Sequence, residues 1–150
     1  MNRIFADLLN GKFPDIMSLT WGFVDVRDVA MAHVKALTTP QANGRYLCAG
    51  EARTMREVVG ILKDNGFGNS KLPKMGMDSA LGDKFALLAA FLQPKGVKSY
   101  LKTHIGRTPR FDHTKVVTDL GLEFRPVEKS ITDACNDLAK LGHVKAPQAV

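Results

Sequence analysis

The sequence predicts an α/β fold that is rich in helix and has few, short strands. Three observations predict it. Seven stretches read as helices, only two look like strands, and glycine or proline punctuates nearly every boundary. The 150 residues suit one domain or part of a larger one, and 45% apolar with 24% charged residues is ordinary for a globular chain that buries a core.

Residues 2–10 place Ile4, Phe5, Leu8 and Leu9 on one helical face, and Gly11 supplies a left-handed stop. A loop with Pro14 follows. Residues 21–26, Trp-Gly-Phe-Val-Asp-Val, form a strand candidate rich in β-formers. A helix over 28–37 comes next, with Val29, Ala30, His33, Val34 and Leu37 as its apolar stripe and Pro40 barring continuation. The run 44–50 is almost continuously apolar, which suits a strand buried on both faces. Thr54 and Glu57 have capping-box spacing at the head of a helix that ends at Asn65-Gly66.

Lys71 to Lys74 is a short extended piece. Residues 79–92 are apolar nearly all round, so that helix expects neighbours on more than one side. Pro94 breaks it, and a short helix follows over 95–103. An extended turn at 110–112 leads into a helix over 113–120, with Asp112 as cap and Gly121 as stop. The last helix opens at Pro126 and runs to Gly142 through Val127, Ile131, Cys135, Leu138 and Leu141. The tail 143–150 is expected to fray.

A single βαβ unit cannot cover both faces of its sheet. The strand expected at 44–50 therefore looks made for partners that this chain hardly supplies.

Charge and motif content exclude several classes. The net charge is +6, yet Lys and Arg are scattered instead of forming a basic run, so nucleic acid is not the expected partner. The longest apolar run, 85–92, is far short of the ~20 residues that cross a bilayer. No leader pattern opens the chain, and the two cysteines, Cys48 and Cys135, lack zinc-type or redox spacing, which suits a cytoplasmic protein with reduced thiols. The four histidines, His33, His104, His113 and His143, show neither HxxxH nor HExxH spacing, so no metal site is expected. His33 reads as a helix-face residue, and Arg107 and Arg110 as surface charges. Asp25 and Asp28 read as caps of the adjoining helix that also hold Arg27, in preference to a catalytic carboxylate pair.

Three stretches in fixed order carry a family resemblance. They are 23–30 (Phe-Val-Asp-Val-Arg-Asp-Val-Ala) with His33 and Ala36-Leu37, then Gly44-Arg45-Tyr46-Leu47 with Gly50-Glu51 and 54–58, then Phe111-Asp112, Lys115, 120–122 and Phe124-Arg125-Pro126. The opening 8–14 fits the same pattern. Over residues 2 to about 142 this succession resembles the C-terminal part of the extended short-chain dehydrogenases and reductases. The nearest group is the aldehyde and dihydroflavonol reductase-like one within the NAD-dependent epimerase and dehydratase family. The resemblance implies a helix-rich partial Rossmann-type fold in which 1–142 is the substrate-side region and the N-terminal Rossmann part is absent. It implies that strand 44–50 joins the far edge of a Rossmann sheet, and that strand 23–26 pairs near 110–112.

The resemblance also implies NAD(P)H as cofactor of a full-length relative, with a small carbonyl compound as substrate. None is expected to bind this chain alone as cofactor. The family's glycine-rich GxxGxxG turn, which lets backbone approach a pyrophosphate, has no counterpart, since Gly66-Phe67-Gly68 continues as Asn-Ser-Lys. The family's YxxxK pair is missing too: four residues past Tyr46 is Gly50, and four past Tyr100 is His104. By the resemblance, the loop before the first strand lines the substrate pocket, which makes Met17, Leu19, Trp21 and Phe23 the candidate pocket residues. Trp21 and Phe23 suit core packing as well. No residue is assigned a catalytic role. The expected function is the substrate-side half of an NAD(P)H-dependent carbonyl reductase, inactive alone. The alternative is a non-catalytic α/β interaction module that pairs with a separate protein through the exposed edge of 44–50.

Overall fold

A computed structural model describes residues 2–92 and 95–148. Helix α1 spans Asn2–Leu9, and Gly11 beyond it adopts φ 77°, the left-handed conformation that glycine accepts without strain. Strand β1, Thr20–Gly22, leads into helix α2, Val26–Thr38. Strand β2, Ala52–Thr54, runs directly into helix α3, Met55–Leu62, which continues as a wider helical turn, Lys63–Phe67, with Gly66 at φ 87°. Helix α4, Ala80–Ala89, tightens into a last turn, Ala90–Leu92, and helix α5 covers Lys95–His104. Helices α6, Thr114–Leu120, and α7, Val127–Lys140, complete the order.

The helix-rich α/β expectation holds, and most helices lie where the apolar spacing puts them. At α3 the local chemistry is as expected. The Thr54 hydroxyl accepts from the Glu57 N–H, and the Glu57 carboxylate accepts from the Thr54 N–H at 2.7 Å. At α6, Gly121 turns left-handed at φ 58° and its carbonyl accepts from Lys35 Nζ at 2.9 Å.

The strands differ from expectation. β1 pairs antiparallel with β2, with Trp21 opposite Arg53, and not with 110–112. Residues 110–112 approach β1 through a side chain instead, because the Phe111 ring packs over Gly22 so closely that a Cβ there would meet it at 2.4 Å. Phe23 prolongs the ladder by two backbone bonds, donating to the Glu51 carbonyl and accepting from the Gly50 N–H, before Asp25 caps α2. Residues 44–50 form no strand. Their only backbone partner in the ladder is Phe23, at the far end. Tyr46 and Cys48 rest half-buried on a small cluster, while Leu47 is 49% exposed.

Two cores result. The larger gathers α1, α3 and α7 around Leu8, Met55, Val58, Leu62, Ile131 and Cys135, and also takes in Trp21 and Phe23. The smaller packs α2 on α6 through Ala32, Val116, Leu120 and Leu122. The stripe expected to bury α2 does not do so. The helix docks through Asp28 and Ala32, whereas Val34 is exposed and Leu37 is 87% exposed. A helix with so few residues in contact buries whichever turn faces its neighbour, and here a buried carboxylate decides that face.

Asp28 is 1% exposed, accepts from the Arg125 N–H at 2.8 Å, and is ion-paired with the Arg125 guanidinium. It therefore ties α2 to the turn before α7 instead of holding Arg27. Asp25, and not Asp28, holds Arg27, in a bidentate pair at 2.6–2.8 Å. Of the tail expected to fray, Val144 is buried in the main core and the Gln148 N–H donates to the Gly66 carbonyl at 2.9 Å. Residues 143 and 145–148 are exposed, and 149–150 lie outside the described residues.

The two thiols are set apart by burial. Cys135 lies in the main core, where loss of solvation pushes its thiol up to about 12, and Cys48 is half-buried. A thiol reagent at neutral pH should label Cys48 of the folded chain and leave Cys135 untouched until urea unfolds it. Counting modified thiols by mass with and without urea checks this.

Candidate functional site

The segment before β1 is held at four points. The Ile16 N–H donates to the Met75 carbonyl and its carbonyl accepts from the Met77 N–H, both at 2.8 Å. The Met17 N–H donates to Met55 Sδ at 3.3 Å, the Ser18 carbonyl accepts from Gly106, and the Leu19 carbonyl accepts from the Met55 N–H. A surface segment anchored this often is rigid enough to form a binding wall.

Helices α4 and α5 and that segment line a half-open cavity of about 720 Å³. Met17 and Leu19 line it, together with Phe13, Phe85 and Val97. Of the four residues singled out in sequence, the structure thus brings two to the cavity. Trp21 is buried just behind it, and its indole Nε1–H donates to the Tyr100 hydroxyl at 2.9 Å, with Tyr100 itself on the cavity wall. Phe23 faces elsewhere. It stacks on Phe5 with ring centres 6.0 Å apart and lines a second groove of about 740 Å³.

That second groove is polar on one side. Asp25, Arg27, Ser130 and Asp133 form one network, in which Arg27 bridges both carboxylates and the Ser130 hydroxyl donates to Asp25 at 2.7 Å. The Arg27 guanidinium, with help from Ser130 and the Arg27 N–H, holds the Asp25 carboxyl well below the usual carboxylate range. An acid depressed on folding stabilises the fold fully above its unfolded value of about 3.9, and that contribution is lost as pH falls through the folded value. Urea midpoints of wild type and Asp25→Asn should therefore differ at pH 6 and converge as pH is lowered below about 4. A gap that stays constant down to pH 3 would contradict the assignment.

Sequence reasoning missed Tyr100, Phe13, Phe85 and Val97 as wall residues. Phe13-Pro14 carried a usable signal, an aromatic-proline loop just before the expected pocket segment. Tyr100 carried none, because its role depends on how α5 folds back over residues 79 positions earlier.

Three of the helix N-termini are occupied by their own caps, whereas α6 and α7 have no side-chain cap. A pyrophosphate needs free backbone donors at a helix N-terminus or glycine turn. The first turn of α2 is taken by the Asp25 side chain, that of α3 by its Thr54–Glu57 capping box, and that of α4 by the Ser79 hydroxyl. Among the described residues no group of three metal-ligating side chains converges, and no helix is long and apolar enough to cross a membrane.

The sequence is similar to that of reductases, in line with the resemblance that the three motifs carry. Its sequence is 34% identical to cinnamoyl-CoA reductase 2 of Arabidopsis thaliana over 140 residues, which is 93% of this chain and 35% of that protein. It is 28% identical to an NADPH-dependent methylglyoxal reductase of Saccharomyces cerevisiae over 130 residues, covering 86% of this chain and 31% of the relative. The chain thus spans about a third of the length of the curated relatives it matches. Among solved structures, gox2253 superimposes with a TM-score of 0.67 at 20% identity, over 96% of this chain and 44% of that one. A reductase engineered to attenuate substrate inhibition superimposes at 0.59 with 19% identity, over 91% of this chain and 35% of that one. No family model matches the chain.

Proposed function

We propose that residues 1–142 are the substrate-side region of an NAD(P)H-dependent carbonyl reductase, and that they shape the pocket in which an aldehyde or ketone is held. The observation that carries this reading is the apolar cavity between the 12–19 segment, α4 and α5. Ligand sites are concave, mostly apolar, and provided with a few placed polar groups, in the size range of several hundred Å³. The kinship to reductases over nine-tenths of the chain supports it.

In this reading Met17 and Leu19 contact the substrate and Trp21 backs the wall. Hydride and the dinucleotide belong to sequence outside these residues, in a Rossmann part whose sheet would take in 44–50 along its unpaired length. The outward apolar face of α2, with Val34 and Leu37, suits the same contact. The cytoplasm suits the reduced thiols. The interaction-module alternative gains nothing from the relatives, which are reductases.

Trp21 is the only tryptophan, so its indole N–H gives one resonance that reports the cavity wall. Titration with small apolar aldehydes and ketones should shift that resonance saturably. If no carbonyl compound moves it at millimolar concentration, the cavity is not a substrate site.

A further inference from the structure

We propose that Tyr100 is the polar anchor of this cavity, donating its hydroxyl proton to an acceptor oxygen on an otherwise apolar, uncharged ligand. The inference rests on the reading of the cavity as a ligand site, and it fixes which chemistry that site takes.

The wall is apolar at Phe13, Met17, Leu19, Phe85 and Val97, so the few polar lining groups decide orientation. Lys12 is turned to Asp7 at 2.6 Å, and Asp15 as a carboxylate offers acceptors only. Tyr100 is the one hydroxyl-bearing side chain among the described lining residues. Its oxygen accepts from the Trp21 indole at 2.9 Å. Its own proton has no acceptor among the described residues, which leaves a donor at the cavity wall.

The donor is held in place twice. The Tyr100 ring stacks on His104 with centres 4.1 Å apart and planes 17° from parallel, and the buried indole fixes the oxygen. His104 is itself tied down, its Nδ1 lying 2.9 Å from the Tyr100 carbonyl and 2.7 Å from Thr103 Oγ1. A chain of hydrogen bonds running from Trp21 to Tyr100 to the ligand is strengthened at each link, because each bond polarises the next. Pairing the buried indole with Tyr100 also avoids an orphan donor, which explains why the pair forms without a ligand.

A carbonyl or ether oxygen satisfies this site, and a hydrocarbon of the same shape does not. A carboxylate ligand is disfavoured by Asp15 and by desolvation against apolar walls.

The test compares two probes of one skeleton, 4-phenylbutan-2-one and butylbenzene, titrated into the 150-residue chain and into Tyr100→Phe while the Trp21 indole resonance is followed. In the wild type the ketone's advantage over the hydrocarbon should exceed that in Tyr100→Phe by about tenfold, the worth of one hydrogen bond in a dissociation constant. As a check that needs no variant, N,N-dimethyl-3-phenylpropanamide, a stronger acceptor of similar shape, should bind the wild type more tightly than the ketone. If both probes bind but the preference is unchanged in Tyr100→Phe, or affinity does not rise with acceptor strength, the anchor is overturned and the cavity reading stands. If neither probe shifts the indole resonance at millimolar concentration, the cavity reading fails and the anchor falls with it.

Discussion

Asp28→Ala should lower the unfolding free energy by roughly 3 kcal/mol, because it orphans the Arg125 N–H and removes the buried carboxylate that pins the Arg125 guanidinium. Asp28 sits in the first turn of α2, where a carboxylate also meets the positive end of the helix. Its two oxygens take the Arg125 N–H and guanidinium, joining segments 97 residues apart. Asp28→Asn keeps an oxygen for the Arg125 N–H and should cost about half as much. Arg125→Ala keeps that backbone bond but leaves the buried Asp28 carboxylate without its counter-charge, so it should also cost about 3 kcal/mol. Chemical denaturation of the three variants checks the order. An Asp28→Ala variant within about 0.5 kcal/mol of wild type would contradict the anchoring role, since that is the scatter of an ordinary surface substitution.

Met55→Ala should cost a similar amount, about 3 kcal/mol, and should also damage the cavity wall. Met55 is completely buried in the main core. Its N–H donates to the Leu19 carbonyl and its Sδ accepts from the Met17 N–H, so it fastens the wall segment from beneath. Truncation leaves a void under Met17 and Leu19 and an unpaired Met17 donor. Met55→Leu fills most of the volume and loses only the sulfur acceptor, so it should cost about 1 kcal/mol. Denaturation midpoints separate the two variants. The Trp21 resonance should broaden or shift in Met55→Ala alone, because β1 follows directly from the loosened segment.

The sequence was most legible where a feature depends on near neighbours. The capping box at Thr54 and Glu57, the left-handed stops at Gly11 and Gly121, and the stripe of α7 all rest on contacts within a few residues. The strand expected at 44–50 shows the opposite case. Its apolar run carries the propensity for a strand, but a strand exists only where a second backbone meets it, and here Phe23 reaches just one end. The α2 stripe failed for a related reason. Periodicity finds an apolar face, yet the face that docks is chosen by the neighbour, and Arg125 draws the Asp28 side inward.

At the candidate site, Met17 and Leu19 were legible as apolar residues next to a strand, and they do line the cavity. Phe23 was indistinguishable from them in sequence and faces the other groove. Tyr100 was invisible, because nothing local to α5 tells which earlier residue it will meet. The resemblance to reductases was legible through the motif order, and the relatives agree with it.

In the proposed division of labour, these residues hold a carbonyl compound and other sequence supplies dinucleotide and hydride. Incubating the purified 150-residue chain with NADPH and a panel of aldehydes and ketones, while following cofactor absorbance, tests this most directly. The expected result is no oxidation above the buffer rate, alongside saturable shifts of the Trp21 resonance by the same carbonyl compounds. Sustained NADPH oxidation that scales with chain concentration would contradict it.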